Sequence, residues 1–334
     1  MQTFPMSSAL IDNWIFLKFP TITDSKNFDP RADAEKLMKA MKRMGTNEKE
    51  ILNIVARRSN NERQMISHTY QELYKKDLIK DLKGELSKKL EKIILALMIP
   101  VLEYDCLTLR NSIKGIGTNE CLLIQIICSK SFQQLTSIQE CYKKCYSTEL
   151  INDLKHDTSG NFEKILISLL TIDRKQAHEE DRQKVIVDAK ALAKESSEKL
   201  LFFNKAIFIE ILTSRDLNHL KNVFAEYERI TKLNIEDVIR KEMHGDSEHA
   251  LTALVECIRY PSSFFAKRIN HTLEGMGTQE DELIYIIVSR SERDLGRIKQ
   301  EYERIYDKSL EQCIKSDTSG DFEDALLLII KGNC

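Results

Sequence analysis

Three short stretches repeat one arrangement of glycine, threonine and acid: "KRMGTNE" (Lys42 to Glu48), "KGIGTNE" (Lys114 to Glu120) and "EGMGTQE" (Glu274 to Glu280). A glycine that ends one helix at positive φ, followed by a threonine that caps the next, accounts for the turn itself. The same residues are open to a second chemistry. A Gly-x-Gly loop turns several main-chain carbonyls toward one point, and carbonyls joined by a carboxylate are what a hard cation such as Ca²⁺ takes. The carboxylate recurs at a constant interval: Asp157, Asp317 and Glu85 each lie forty residues after Gly117, Gly277 and Gly45. Capping explains the turns and leaves the carboxylates unexplained.

The elements that must position these groups follow from internal repetition. "NFEKILISLL" (Asn161 to Leu170) echoes "KLEKIILALM" and "DFEDALLLII", "HDTSGNFE" matches "SDTSGDFE", and "YERITKLNIEDVI" matches "YERIYDKSLEQCI". Aligned on Thr46, Thr118 and Thr278, the chain divides into four units, with Phe203 at the third unit's equivalent position. The polar stretch "TIDRKQAHEEDRQK" reads as the linker between the second and third. Within a unit the apolar period is helical: Ile51, Leu52, Ile54 and Val55 share one face, with Glu48, Lys49, Arg57 and Arg58 elsewhere. "SNNE" and "SFQQ" are capping boxes that start helices, and "SERD" (Ser291 to Asp294) is a weaker version. Each unit holds about four or five short helices, and no stretch alternates as a strand does, so the fold class is all-α.

Composition narrows the function classes. The 334 residues carry a formal net charge of -2, which gives no bulk attraction for nucleic acid. Only 11 glycines and 5 prolines favour long helices over a turn-rich β fold. The N-terminus lacks a basic leader, and the longest apolar run, "IILALMIPVL", is too short to span a bilayer. Eight cysteines in this length are too sparse for a disulfide scaffold and read as reduced thiols in the cytosol. Cys141 and Cys145 lie one helical turn apart, a spacing open to a zinc pair, but without a partner couple they read as buried thiols. No Ser-His-Asp order, phosphate loop or His-rich metal motif appears, and the seven histidines, His156 beside Asp157 included, are scattered. The chain reads as a binding protein and not an enzyme.

Four units of this size, with "KGIGTNE", "DTSGNFEKIL" and "IVSRSERDL", resemble the annexin family over nearly the whole chain, from about Phe28 to about Lys331. The resemblance implies four five-helix repeats in a curved disc. Residues 1–27 form an N-terminal segment, residues 28–99, 100–171, 185–259 and 260–334 the repeats, and residues 172–184 the linker. It also implies Ca²⁺-dependent binding to acidic phospholipid membranes, and a cytoplasmic protein peripheral to the membrane when calcium is present. Carried over by position, the second repeat offers the carbonyls of Ile113, Gly115 and Gly117 with Asp157. The fourth offers Leu273, Gly275 and Gly277 with Asp317, and Glu274 replaces the family's usual basic residue.

The first repeat has Met41, Gly45 and Glu85, but Arg43 stands at the first loop glycine. There a positive φ costs an L-residue about 1–2 kcal/mol, so the site is expected to be weakened or lost. The third repeat reads "ESSEKLLFFNK", which keeps Glu242 at the acid's position without the glycine loop and leaves a dead site. Leu200 to Phe203 either extend the next helix or wedge into lipid. In the N-terminal segment Leu10, Trp14 and Leu17 have helix-in-groove spacing. The resemblance implies docking on the chain's own repeats, or a small calcium-sensor protein as partner. The rival to calcium-dependent binding is a largely calcium-independent interaction or membrane–cytoskeleton scaffold of the same fold.

Overall fold

A computed structural model describes residues 19–42, 45–86, 88–114, 117–174, 182–195, 204–274 and 279–333. Among them are twenty α-helices and no strand, five helices to each repeat. The first repeat comprises α1 (Pro30–Met41), α2 (Glu48–Val55), α3 (Asn60–Tyr74), α4 (Leu78–Leu82) and α5 (Lys88–Met98). The second comprises α6 (Val101–Lys114), α7 (Glu120–Cys128), α8 (Phe132–Tyr146), α9 (Leu150–Asp157) and α10 (Gly160–Thr171). The third has α11 (Arg182–Glu195), α12 (Lys205–Ser214), α13 (Leu217–Thr231), α14 (Ile235–Glu242) and α15 (Asp246–Arg259). The fourth has α16 (Pro261–Leu273), α17 (Glu280–Ser291), α18 (Leu295–Tyr306), α19 (Leu310–Asp317) and α20 (Gly320–Lys331).

The chain divides into two compact units. One holds Asp105–Phe264, essentially repeats two and three; the other joins the described residues from Phe19 to Tyr104 with those from Phe265 onward, repeats one and four. In the first unit α7 packs on α10 and α15, and α10 also meets α12. In the second, α2 packs on α5 and α20, and α17 on the same two helices. This explains why α7 is buried at every position from Leu122 to Cys128: it touches protein all round, so its apolar residues need no single face. In α2 the expected face Ile51, Leu52, Ile54 and Val55 is buried, and Lys49 and Arg57 are exposed.

Local signals set the helix ends. Asp29 accepts hydrogen bonds from the N–H groups of Arg31 and Ala32 while Pro30 supplies a preset φ. Capping boxes form at Ser59/Glu62 and Ser131/Gln134 as expected, and also at Ser309/Gln312, which the sequence reading passed over. "SERD" is not a capping box. Ser291 is the last residue of α17, and Asp294 gives its carboxylate to the buried Arg290 guanidinium instead of to the start of α18. The third helix of every repeat ends on a left-handed residue that is not glycine: Lys75, Ser147, Lys232 and Asp307.

The first two helices of each repeat are held away from the loop, and in three repeats at the loop end as well. Away from the loop, an acid on the first helix pairs with a cation just beyond the second. The pairs are Asp33 with Arg58 at 2.6 Å, Asp105 with Lys130 at 2.7 Å and Asp188 with Arg215 at 2.8 Å. His219 Nε2 also lies 2.9 Å from Asp188. In the fourth repeat Phe265 occupies the first helix, and Arg290 lies 4.3 Å over its ring while pairing with Asp294. At the loop end one main-chain bond closes the turn in three repeats: Asn47 N–H to Ala40 C=O (3.0 Å), Asn119 to Ser112 (2.9 Å) and Gln279 to Thr272 (3.0 Å).

Residues 19–22, ahead of α1, lie along the fourth repeat. Thr21 and Ile22 donate their N–H groups to Ser291 C=O at 2.8 and 3.0 Å, and Gly296 donates to Phe19 C=O at 2.9 Å. Trp14, with Leu10 and Leu17, lies outside the described residues.

Asp105 and Lys130 have side chains only 6% exposed each, so removing one partner strands a desolvated charge. Lys130→Met is expected to lower the free energy of unfolding by about 3–5 kcal/mol in a urea titration. Adding Asp105→Leu to it is expected to restore most of that loss.

Candidate functional site

In the second repeat the loop and its distant acid are in contact. Thr118 Oγ1 donates to Asp157 Oδ2 at 2.7 Å, across 39 residues of chain. The first repeat has the same bond, from Thr46 Oγ1 to Glu85 Oε2 at 2.5 Å. The threonines therefore do not cap the following helices, contrary to the simplest reading of the turn. Asn47 and Asn119 do that, accepting from the N–H groups of Glu50 and Leu122. Between closing bond and cap, Gly117 takes φ +85 and Gly45 φ +93, and at neither would an added Cβ meet an atom within 4 Å. A side chain at these turns is excluded by backbone strain and not by crowding.

Asp157 is the last residue of α9 and exposed, and Asp317, the last residue of α19, is half-buried. Each is followed by a threonine whose hydroxyl donates to a carbonyl one turn back, Thr158 to Leu154 and Thr318 to Ile314, both at 2.8 Å. This bond closes the helix end on its own axis and leaves the aspartate to project beyond it. A carboxylate at the negative end of a helix dipole is unfavourable unless a cation joins it. Ile113 and Leu273 have buried apolar side chains, so the main-chain oxygen is what each has to offer a ligand. Among the described residues no group of three or more His, Cys, Asp or Glu side chains gathers as a metal cluster. A cation at the loop would rely on main-chain oxygens together with a single carboxylate.

The annexin family model matches four times along the chain, over residues 32–97, 104–169, 188–254 and 264–329. The chain belongs to the annexin family. Members of this family are generally non-enzymatic and bind phospholipid in a calcium-dependent way. The chain is 42% identical to annexin A5 of Cynops pyrrhogaster over 92% of its own length and 95% of the relative's. It is 43% identical to annexin A11 of Homo sapiens over 94% of its length, but spans only 62% of that longer relative. Among solved structures it superposes on annexin III with a TM-score of 0.90, at 39% identity, covering 94% of this chain and 98% of the other. A calcium-bound annexin (Sm)1 superposes with a TM-score of 0.80 at 30% identity, covering 94% of this chain and 93% of that one.

Of the annexin loop positions singled out in the sequence, the structure describes Met41, Gly45 and Glu85, Ile113, Gly117 and Asp157, and Leu273 and Asp317. Arg43, Gly115, Gly275, Gly277 and the stretch from Leu200 to Phe203 lie outside the described residues. Glu242 of the third repeat is half-buried, with Lys241 Nζ 3.9 Å from its carboxylate. Sequence reasoning missed the role of Thr46 and Thr118, although their constant interval to the acids was a usable signal.

Gly117→Ala is expected to lower stability by about 1 kcal/mol, the left-handed penalty less the entropy gained in the unfolded chain. Urea unfolding of this variant beside Gly45→Ala checks whether the two loops carry equal backbone strain.

Proposed function

We propose that the chain binds acidic phospholipid surfaces in the presence of calcium, mainly through the loops of the second and fourth repeats. The observation that carries this reading is the contact between Thr118 and Asp157, which brings an exposed helix-end carboxylate to a left-handed glycine turn. The donor set is all oxygen: the carbonyls of Ile113, Gly115 and Gly117 with the Asp157 carboxylate, and those of Leu273, Gly275 and Gly277 with Asp317. That set fits Ca²⁺, which takes oxygen ligands in loose geometry. When bound, Ca²⁺ supplies open coordination positions to the phosphoryl oxygens of lipid.

The chain's own residues do three things. The hairpin bonds fix the loop, the threonine orients the acid, and the loop backbone presents oxygens that no substitution of surface side chains would remove. Because the ligand set is completed from both sides, calcium raises lipid affinity and lipid raises calcium affinity by the same factor. The first repeat contributes less, as an arginine, Arg43, replaces the first loop glycine of the family pattern, and the third contributes least. Among the described residues no helix is long and apolar enough to cross a membrane, which supports attachment from one side.

Co-sedimentation with phosphatidylserine vesicles across a calcium titration tests this. Asp157→Asn combined with Asp317→Asn is expected to raise the calcium needed for half-maximal binding at least tenfold, and Glu85→Gln by less than threefold. Binding that ignores both the double variant and a chelator would falsify the proposal and favour a calcium-independent scaffold.

A further inference from the structure

The sequence reading of Cys141 and Cys145 as buried thiols does not hold. Cys145 is exposed and Cys141 half-buried, because α8 turns Ile138 and Tyr142 inward, which leaves Cys141 on the flank of that face and Cys145 away from it. Their sulfurs stand 3.9 Å apart on adjacent turns. Behind them Cys106 of α6 is fully buried, with its thiol donating to Ile138 C=O at 3.4 Å. Burial, and next the hydrogen bond with Cys141, push the Cys106 thiol well above its ordinary range.

Two reactions are open to a close dithiol, and the helix separates them. A disulfide needs Cβ atoms about 3.5–4.5 Å apart. Residues four apart on a helix hold them about 5–6 Å apart, so α8 would have to unwind. A bridging ion asks for much less. Zinc–sulfur bonds of about 2.3 Å at a tetrahedral angle put two sulfurs about 3.8 Å apart, which the pair already meets. The position along the helix agrees. Cys145 is the penultimate residue of α8, where the negative end of the helix dipole favours a cation.

We infer that Cys141 and Cys145 form a surface chelate for a thiophilic tetrahedral cation of the zinc and cadmium class, separate from the oxygen loops. On binding, two sulfur–hydrogen bonds are replaced by two sulfur–metal bonds, the two protons pass to solvent, and no electron is transferred. Two coordination positions face solvent, so this is an open site and not a closed structural one. Its ligands are soft sulfur, whereas the loops offer hard oxygen, and the two classes of site therefore select different ions.

Cadmium chloride is the probe, added to the full-length reduced protein with calcium in excess so that the oxygen loops do not compete. A thiolate-to-cadmium absorption band in the ultraviolet is expected to saturate near one equivalent and to be displaced by zinc. Cys141→Ser and Cys145→Ser are each expected to reduce the band at least tenfold, and Cys313→Ser, a half-buried thiol in another repeat, to leave it intact. Absence of the band, its survival in both single variants, or equal loss in Cys313→Ser overturns the assignment.

Discussion

The hydrogen bond from a loop threonine to a carboxylate 39 residues later is the constraint on which the site depends. The bond ties the turn of one helix pair to an acid that is remote in sequence. The loop is a turn between two helices, and the acid stands at or just beyond the end of a third element. A hydroxyl can orient a carboxylate oxygen while leaving the second oxygen, and the charge, available to a cation. Because the bond joins two ends of one repeat, whatever holds the repeat together also holds the site.

That support is separate from the loop itself. The acid–cation pair at the far end of the hairpin persists in the third repeat, where Asp188 meets Arg215 and His219, although that repeat has lost its glycine loop. Burial tends to raise the Asp188 carboxyl, but the hydrogen bonds from Arg215 and His219 outweigh it and hold the group below its ordinary range. The fourth repeat replaces the same pair with Arg290 stacked on Phe265. Loop residues can therefore drift without unfolding the repeat, since caps, hairpin bonds and buried helix faces carry its stability. This explains how one chain holds two loops with both glycines, one that has lost a glycine and one whose sequence has none.

The two ion sites proposed above draw on different parts of the chain. At the proposed calcium loops the ligands would be main-chain oxygens, so a single left-handed glycine would matter more than any side chain except the acid. On α8 the side chains make the ligand and the helix supplies only their spacing. A protein built from helices can acquire the second kind by two substitutions, whereas the first requires a turn and an acid brought together across a repeat.

Much of this was legible in the sequence. The repeat period, the helical faces, two of the capping boxes and the interval from glycine to acid all depend on residue type and spacing, which local physics converts directly into helices and turns. Asp157, Asp317 and Glu85 could be nominated on interval alone. What only the tertiary structure decided was which neighbours each polar group meets. It sent the threonine hydroxyls to the acids and left capping to asparagine, drew Asp294 away from a helix start to Arg290, and left Cys141 and Cys145 on an outer face of α8. The threonines show the competition most plainly: a helix start next in sequence loses to an acid 39 residues away. A sequence records the first kind of neighbour, and packing alone supplies the second.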